Sequence, residues 1–257
     1  MTKNLLLTMA TLAAFAIAGT GSRADEVTAS QPADGAVLLK ASTAGEPYNP
    51  EIDPAKFTTK ITNPYFPLVP GTTMNFEGTR DGVARRSEHV ITKETKTIMG
   101  VECVVVRDVS SSDTQVLEKT TDWYAQDMDG NVWYFGEDTA EYDNGKVTST
   151  AGTWMAGVDS AVPGIIMLAK PSVGTGYRQE YRPGVAEDYA TVIELDSKAE
   201  TPSGKYENVV VTLDIDLLDK TKLEHKYFAP GIGFIGSDGM VNGHHDVTKL
   251  SSVLKSN

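Results

Sequence analysis

The chain has 257 residues, a formal net charge of −12 and a single cysteine. Hydrophobic residues make up 40% and charged residues 23%, a globular composition that argues against wholesale disorder. The acidic balance argues against nucleic acid as a partner, because a phosphate-binding surface needs clustered Lys and Arg. One cysteine excludes an internal disulfide and a Cys-based zinc site.

The N-terminus reads as a processing signal. Lys3 supplies a short positive region, and Leu5 to Ala18 is apolar apart from Thr8 and Thr11. Ser22-Arg23-Ala24 then offers small residues where a signal peptidase reads. The apolar run is too short and too poorly flanked for a membrane span, so no transmembrane segment is expected after processing. No cysteine follows it, so no lipoprotein anchor is expected. The sequence thus predicts a signal peptide over 1–24 and a periplasmic or secreted product. Residues 25–57 lack periodicity and are rich in Ala, Ser, Thr, Pro and Glu, which predicts an extended arm. With no tandem repeat and no second linker, residues 58–257 are expected to form a single β-rich domain.

Turn chemistry organises that domain. Asp81-Gly82, Asp129-Gly130 and Asn144-Gly145 each lie between β-prone segments and supply the positive φ angles of two-residue hairpins. Met99-Gly100 offers another turn, and Thr201-Pro202-Ser203-Gly204 reads as a type I turn. The registers that follow place Glu77 opposite Arg86 and Asp143 opposite Lys146, both favourable cross-strand pairs. Val209, Val211, Leu213, Ile215 and Leu217 alternate with Val210, Thr212, Asp214 and Asp216, the pattern of a strand with one wet side. Helix signals are confined to Ala156–Lys170, where Pro163-Gly164 interrupts them. The expected fold is all-β and mostly antiparallel: a curved meander sheet forming a barrel, half-barrel or sandwich, with little helix.

Several motifs resemble chemistry. Gly231-Ile232-Gly233-Phe234-Ile235-Gly236 matches GxGxxG, but Pro230 precedes it and no helix pattern follows, so it reads as a glycine-kinked turn between two late strands. Asp127-Met128-Asp129-Gly130-Asn131 suggests a calcium loop, yet Val132 stands where an EF-hand needs Gly and Asp138 where it needs Glu. It reads instead as an acidic hairpin tip. Around that tip, a turn centred on Asp129-Gly130 pairs Tyr124 with Phe135 and Gln126 with Trp133. Both faces of the hairpin are then apolar, and both need cover. Either the second face is capped by the arm or a loop, or Trp123, Tyr124, Trp133, Tyr134 and Phe135 line a ligand cleft, with their polar tips giving orientation.

A turn centred on Pro183-Gly184 sets Glu180 opposite Glu187. Directly opposed like charges destabilise a sheet and call for compensation. Arg178 or Arg182 can provide it, or else a hard cation held by Glu180, Glu187 and Asp188. His225 alternates with Leu223 and Tyr227, the position of a hydrogen-bonded core residue or, failing that, of a catalytic group. His244 and His245 are adjacent and point to opposite faces of a strand, poor placement for a shared metal. Cys103 lies in an apolar run and reads as a buried, inert thiol. Neither HExxH nor GxSxG occurs, so neither zinc-protease nor hydrolase-elbow chemistry is signalled.

Asn63-Pro64-Tyr65-Phe66-Pro67-Leu68 with Pro70-Gly71-Thr72, Asp122 to Asp127 continuing through Asp129 to Glu137, and Tyr227 to Gly233 resemble segments of a group of secreted bacterial β-rich proteins. The resemblance spans about Phe57 to Leu250 and implies export and a β fold; it carries no catalytic residues. A looser likeness is to periplasmic half-barrels that shelter lipid or lipoprotein tails, and it rests on architecture alone. The resulting expectation is an exported, non-enzymatic binding protein for a small, apolar or lipid-like ligand. The alternatives are a calcium-binding protein, an enzyme with a carboxylate or His225 site inside the barrel, and an adhesion protein. The sequence names no cofactor and no protein partner.

Overall fold

A computed structural model describes residues 45–256. The predicted signal peptide and residues 25–44 of the arm lie outside the described residues. The first strands are β1 (Phe57–Thr58), β2 (Thr72–Arg80), β3 (Val83–Ile98), β4 (Val101–Ser111), β5 (Val116–Asp127) and β6 (Val132–Asp143). Five shorter ones follow: β7 (Lys146–Ser149), β8 (Trp154–Met155), β9 (Val162–Met167), β10 (Gly176–Arg178) and β11 (Glu180–Tyr181). The last five are β12 (Asp188–Thr201), β13 (Gly204–Asp216), β14 (Leu223–Ala229), β15 (Gly233–Val241) and β16 (His244–Lys255). Among the described residues there is no α-helix, only a 3-10 turn at Pro54–Lys56 capped by the Asp53 carboxylate. The stretch Ala156–Lys170, which carried the helix signals, contains strand β9 instead.

Thirteen strands follow one antiparallel path, β10-β12-β13-β14-β15-β16-β2-β3-β4-β5-β6-β9-β11. Both long meanders are built from consecutive hairpins, and β16 returns to lie beside β2. The two ends of the path, β10 and β11, are successive along the chain with only Gln179 between them. One extended segment therefore borders β12 with its first half and β9 with its second. The Gln179 N–H donates to the Asp188 carbonyl at 2.8 Å, which carries the β12 ladder across the junction. The sheet is a nearly closed barrel, which leaves little open edge. Gly164 of β9 lies where a Cβ would come within 2.3 Å of the Gln179 carbonyl oxygen and 2.8 Å of that of Arg178.

The predicted hairpins at Asp81-Gly82, Met99-Gly100, Asn144-Gly145 and Thr201–Gly204 are present, with Glu77 opposite Arg86 and Asp143 opposite Lys146. The Asp129-Gly130 hairpin is present with its register shifted: Tyr124 pairs with Tyr134, Ala125 with Trp133 and Gln126 with Val132. The cause is the Asp127 side chain. Its carboxylate accepts from the Asn131 N–H and Asn131 Nδ2 at 2.8 Å each and from Trp133 Nε1 at 2.7 Å, closing a longer loop than a two-residue turn.

Alternation along β13 is as expected, but the polar side is not the solvent side. Thr212 and Asp214, on the polar side, are buried and face the barrel interior beside Lys226; on the apolar side Val209 and Val211 are buried and Leu213 and Ile215 half-buried. The polar side of this strand is the lumen side. Gly164→Val is expected to destabilise the protein by about 1–3 kcal/mol in urea unfolding, the usual cost of overpacking, because the seam cannot close around a larger side chain. Unchanged stability would show that the seam does not need this close approach.

Candidate functional site

The cross-strand registers place Met74, His89 and Asp108 on one face, with Ile91, Val106 and Asp122 beside them. That face looks into the barrel. With Phe66, Phe228, Phe234 and Ile166 it encloses a cavity of about 190 Å³, whose polar lining is His89, Asp108, Asp122, Gln179 and Lys226. A second space of about 410 Å³ opens among Arg80, Glu118, Glu141 and Asp246, polar side chains at the end of the barrel formed by the Asp81-Gly82 hairpin. The interior is thus apolar at one end and charged toward the other.

Two irregularities aim the charged groups. Between Ile91 and Thr95 strand β3 carries four steps against two on β4, which sets His89 opposite Asp108 instead of Ser110. The His89 ring lies 2.7 Å from Asp108 and 4.5 Å from the Phe76 ring. Between Tyr134 and Glu137 strand β6 carries one residue more than β5, and Gly136 absorbs it at φ +133. A Cβ at Gly136 would meet the Trp154 carbonyl oxygen at 2.4 Å. The bulge turns Glu137 onto the lumen side, opposite Asp122; strict alternation after Tyr134 would have turned it outward.

The cations inside are matched. His89 holds Asp108, Lys226 lies 3.0 Å from Asp214 and 3.9 Å from Glu224, and Lys222 pairs with Asp188. Asp122, Glu137 and Glu180 have no such partner among the described residues. Asp122 is 8% exposed and accepts from the Tyr134 hydroxyl at 2.5 Å. Burial pushes its carboxyl up to about 7, against the hydrogen bond from Tyr134. Burial and the neighbouring Asp188 push Glu180 up to about 8, and burial with Glu180 and Asp122 raises Glu137 well above the usual range. His89 is raised because the Asp108 charge and hydrogen bond outweigh the burial that opposes them. Gln179 is 2% exposed, lines the cavity, and its Nε2 has no hydrogen-bond partner among the described residues.

The aromatic hairpin residues do not form one site. Tyr124 and Tyr134 face the lumen with rings stacked at 4.7 Å. Trp133 and Phe135 lie on the outer face, where Phe57 of β1 covers both at 6.0 and 5.6 Å. Trp123, one residue from both Asp122 and Tyr124, takes the Lys96 ammonium over its ring at 3.5 Å. The outer aromatics are thus capped by the end of the arm. Of the three carboxylates Glu180, Glu187 and Asp188, Glu187 stands apart while Glu180 and Asp188 stay neighbours. The bridge between Arg182 and Ala186 shifts the turn by one residue, so Glu180 does not oppose Glu187. Glu187 turns to the far side from Asp188, where it accepts from Arg178 at 3.3 Å, Gly184 N–H at 3.0 Å and Gly45 N–H at 2.7 Å. Arg178 therefore supplies the compensation. Among the described residues no group of three His, Cys, Asp or Glu side chains has metal-binding placement.

His225 pairs with Leu213 and Asp238 on the face away from Lys226 and the cavity. His244 and His245 each hold a different carboxylate, Asp81 at 2.6 Å and Asp238 at 2.8 Å. Cys103 is fully buried and its thiol is pushed up to about 12 by burial. The glycine-rich stretch forms the turn from β14 to β15, with Gly231 N–H donating to the Pro64 carbonyl at 2.7 Å. Sequence reasoning missed His89, Asp108, Asp122, Glu137 and Gln179 as a group.

No protein-family model matches the chain, and no curated protein matches it significantly. Two crystal structures are similar in shape. One, provisionally described as an exported protein with a YmcC-like fold from Bacteroides fragilis, is 14% identical with a TM-score of 0.45, covering 74% of this chain and 99% of that one. The other, provisionally described as a lipoprotein from Parabacteroides distasonis, is 11% identical with a TM-score of 0.36, covering 74% and 98%.

The raised groups set a direction for stability. Asp122, Glu137 and Glu180 keep their protons to higher pH in the folded chain than in the unfolded one. From the ordinary carboxyl range up to about pH 8 the folded state binds more protons, so stability falls as pH rises. His89 acts the same way: its contribution is full below its unfolded value and is lost as pH rises through its higher folded value. The melting temperature is expected to fall between about pH 5.5 and about pH 9, and Asp122→Asn to flatten that slope. A melting temperature that rises across this interval would show that the interior carboxyls are compensated.

Proposed function

We propose that this protein is an exported, non-enzymatic carrier that holds a small amphiphilic molecule inside its barrel. The observation that carries the reading is the cavity itself, with Phe66, Phe228, Phe234, Met74 and Ile166 on its apolar wall and Asp122 and the unpartnered Gln179 amide on its polar wall. A preformed apolar pocket with a few convergent polar groups is the usual form of a ligand site. Its volume is enough for a small body, since enclosed apolar cavities of about 150 Å³ already take benzene. In the lumen the rings of Phe66, Phe228 and Phe234 stand within one wall with Asp122 and Gln179, which supports placing the ligand there. Export is supported by the positive, apolar and small-residue order of the first 24 residues.

Native mass spectrometry of the purified protein tests the reading. The expected result is a species heavier than the bare chain, or one that forms on adding an apolar fluorescent probe such as N-phenylnaphthylamine. Ile166→Trp, which fills the cavity, is expected to abolish that mass shift while leaving the circular dichroism unchanged. Absence of any bound species together with no probe binding would remove the proposal.

A further inference from the structure

We propose, resting on the carrier reading, that the ligand is an alkylamine-type organic cation, with its ammonium between Asp122 and the Gln179 amide and its apolar body among Phe66, Phe228 and Phe234. The case rests on how the lumen distributes charge. Of the charged side chains that line the cavity, His89 and Asp108 neutralise one another at 2.7 Å, and Lys226 is held by Asp214 and Glu224. Asp122 alone among them has a neutral partner, the Tyr134 hydroxyl. Behind it stand Glu137, its register partner on β6, and Glu180 on β11, also without a cation of their own among the described residues. Once ionised, these carboxylates repel an anionic ligand and attract a cationic one.

The second observation is Gln179. A side chain amide buried to this extent ordinarily has its hydrogen bonds made. Its Nε2 end has none among the described residues, and it lies in the wall of the cavity. The two ends of an amide exchange by a half-turn, so it can present its oxygen to an ammonium. A bare metal ion would leave the phenylalanine wall unused. An amine with an alkyl chain uses both ends.

Binding of this kind displaces protons. Without ligand, burial and mutual repulsion let the unpaired carboxyls keep their protons to higher pH than carboxyls ordinarily do. The groups that set this are Asp108 on β4, His89 on β3, Glu118 on β5, Tyr134 and Glu137 on β6, Asp188 on β12, Lys222 ahead of β14 and Lys226 on it. An ammonium arriving beside Asp122 favours the carboxylate, and the carboxyl proton leaves to water. Amine affinity therefore rises with pH until the carboxyls are ionised in the empty barrel as well.

Isothermal titration of octylamine, octanol and octanoate into the whole chain tests this. At about pH 8.5, where an alkylamine is still protonated, octylamine is expected to bind at least about tenfold more tightly than octanol, and octanoate more weakly than either. At about pH 5.5 the advantage of the amine is expected to shrink, because protonated Asp122 no longer offers a charge. Titration near neutral pH in buffers of different ionisation enthalpy is expected to show proton release with octylamine and none with octanol. Asp122→Asn is expected to weaken octylamine by about tenfold to a hundredfold, the range of one charge-assisted hydrogen bond, and to narrow its advantage over octanol. Equal binding of octylamine and octanol, or amine binding without proton release, would overturn the inference and leave the carrier reading standing. Binding of none of the three would overturn both. The proton-release measurement needs no variant, so the outcome stands even if Asp122→Asn fails to fold.

Discussion

A carboxylate taken out of water must find a countercharge or take up a proton, and that constraint shapes this barrel. A closed sheet has one face turned inward on every strand, and here much of that face is charged. His89, Lys222 and Lys226 neutralise Asp108, Asp188 and Asp214. Asp122, Glu137 and Glu180 are left to neutralise themselves, and their raised affinities for protons are the consequence. Acids buried without partners are retained at a stability cost, and Asp122, the one of the three in the cavity wall, is therefore the candidate binding group.

The architecture supplies the enclosure in which this matters. The segment from Gly176 to Tyr181 borders both ends of the sheet, so the interior is walled by backbone already hydrogen-bonded to itself. Phe66, Pro67 and Leu68 close the apolar end, and the Asp81-Gly82 end stays polar and wide. The interior thus runs from a polar end to a wall of phenylalanines.

Much of the fold was legible because turn residues act locally. Asp81-Gly82 and Asn144-Gly145 need positive φ angles whatever surrounds them, and the structure gives them at 50° and 78°, and at 49° and 74°. Registers failed where a side chain or a bulge intervened. Asp127 closed its own loop, and the aromatic pairs moved by one residue. The slip at Pro183-Gly184 separated Glu180 from Glu187, and Arg178 took the latter. Alternation on β13 showed that there are two faces without showing which is enclosed, because a polar lumen and a polar exterior leave the same period of two.

The site itself was less legible for the same reason. His89 faces Met74 from the Asp81-Gly82 register alone, so its place on an inward face was readable. Its partner was not, because the irregularity between Ile91 and Thr95 substitutes Asp108 for Ser110. Glu137 depends on the extra residue absorbed at Gly136, whose only local sign is a glycine within an aromatic strand. The most direct measurement is a carbon-13 titration of the Asp and Glu carboxyls in the ligand-free protein. Half-titration of Asp122 at about 7 and of Glu180 at about 8 is the expected result. Both titrating at about 4, as solvated carboxyls do, would contradict an interior of unpaired acids.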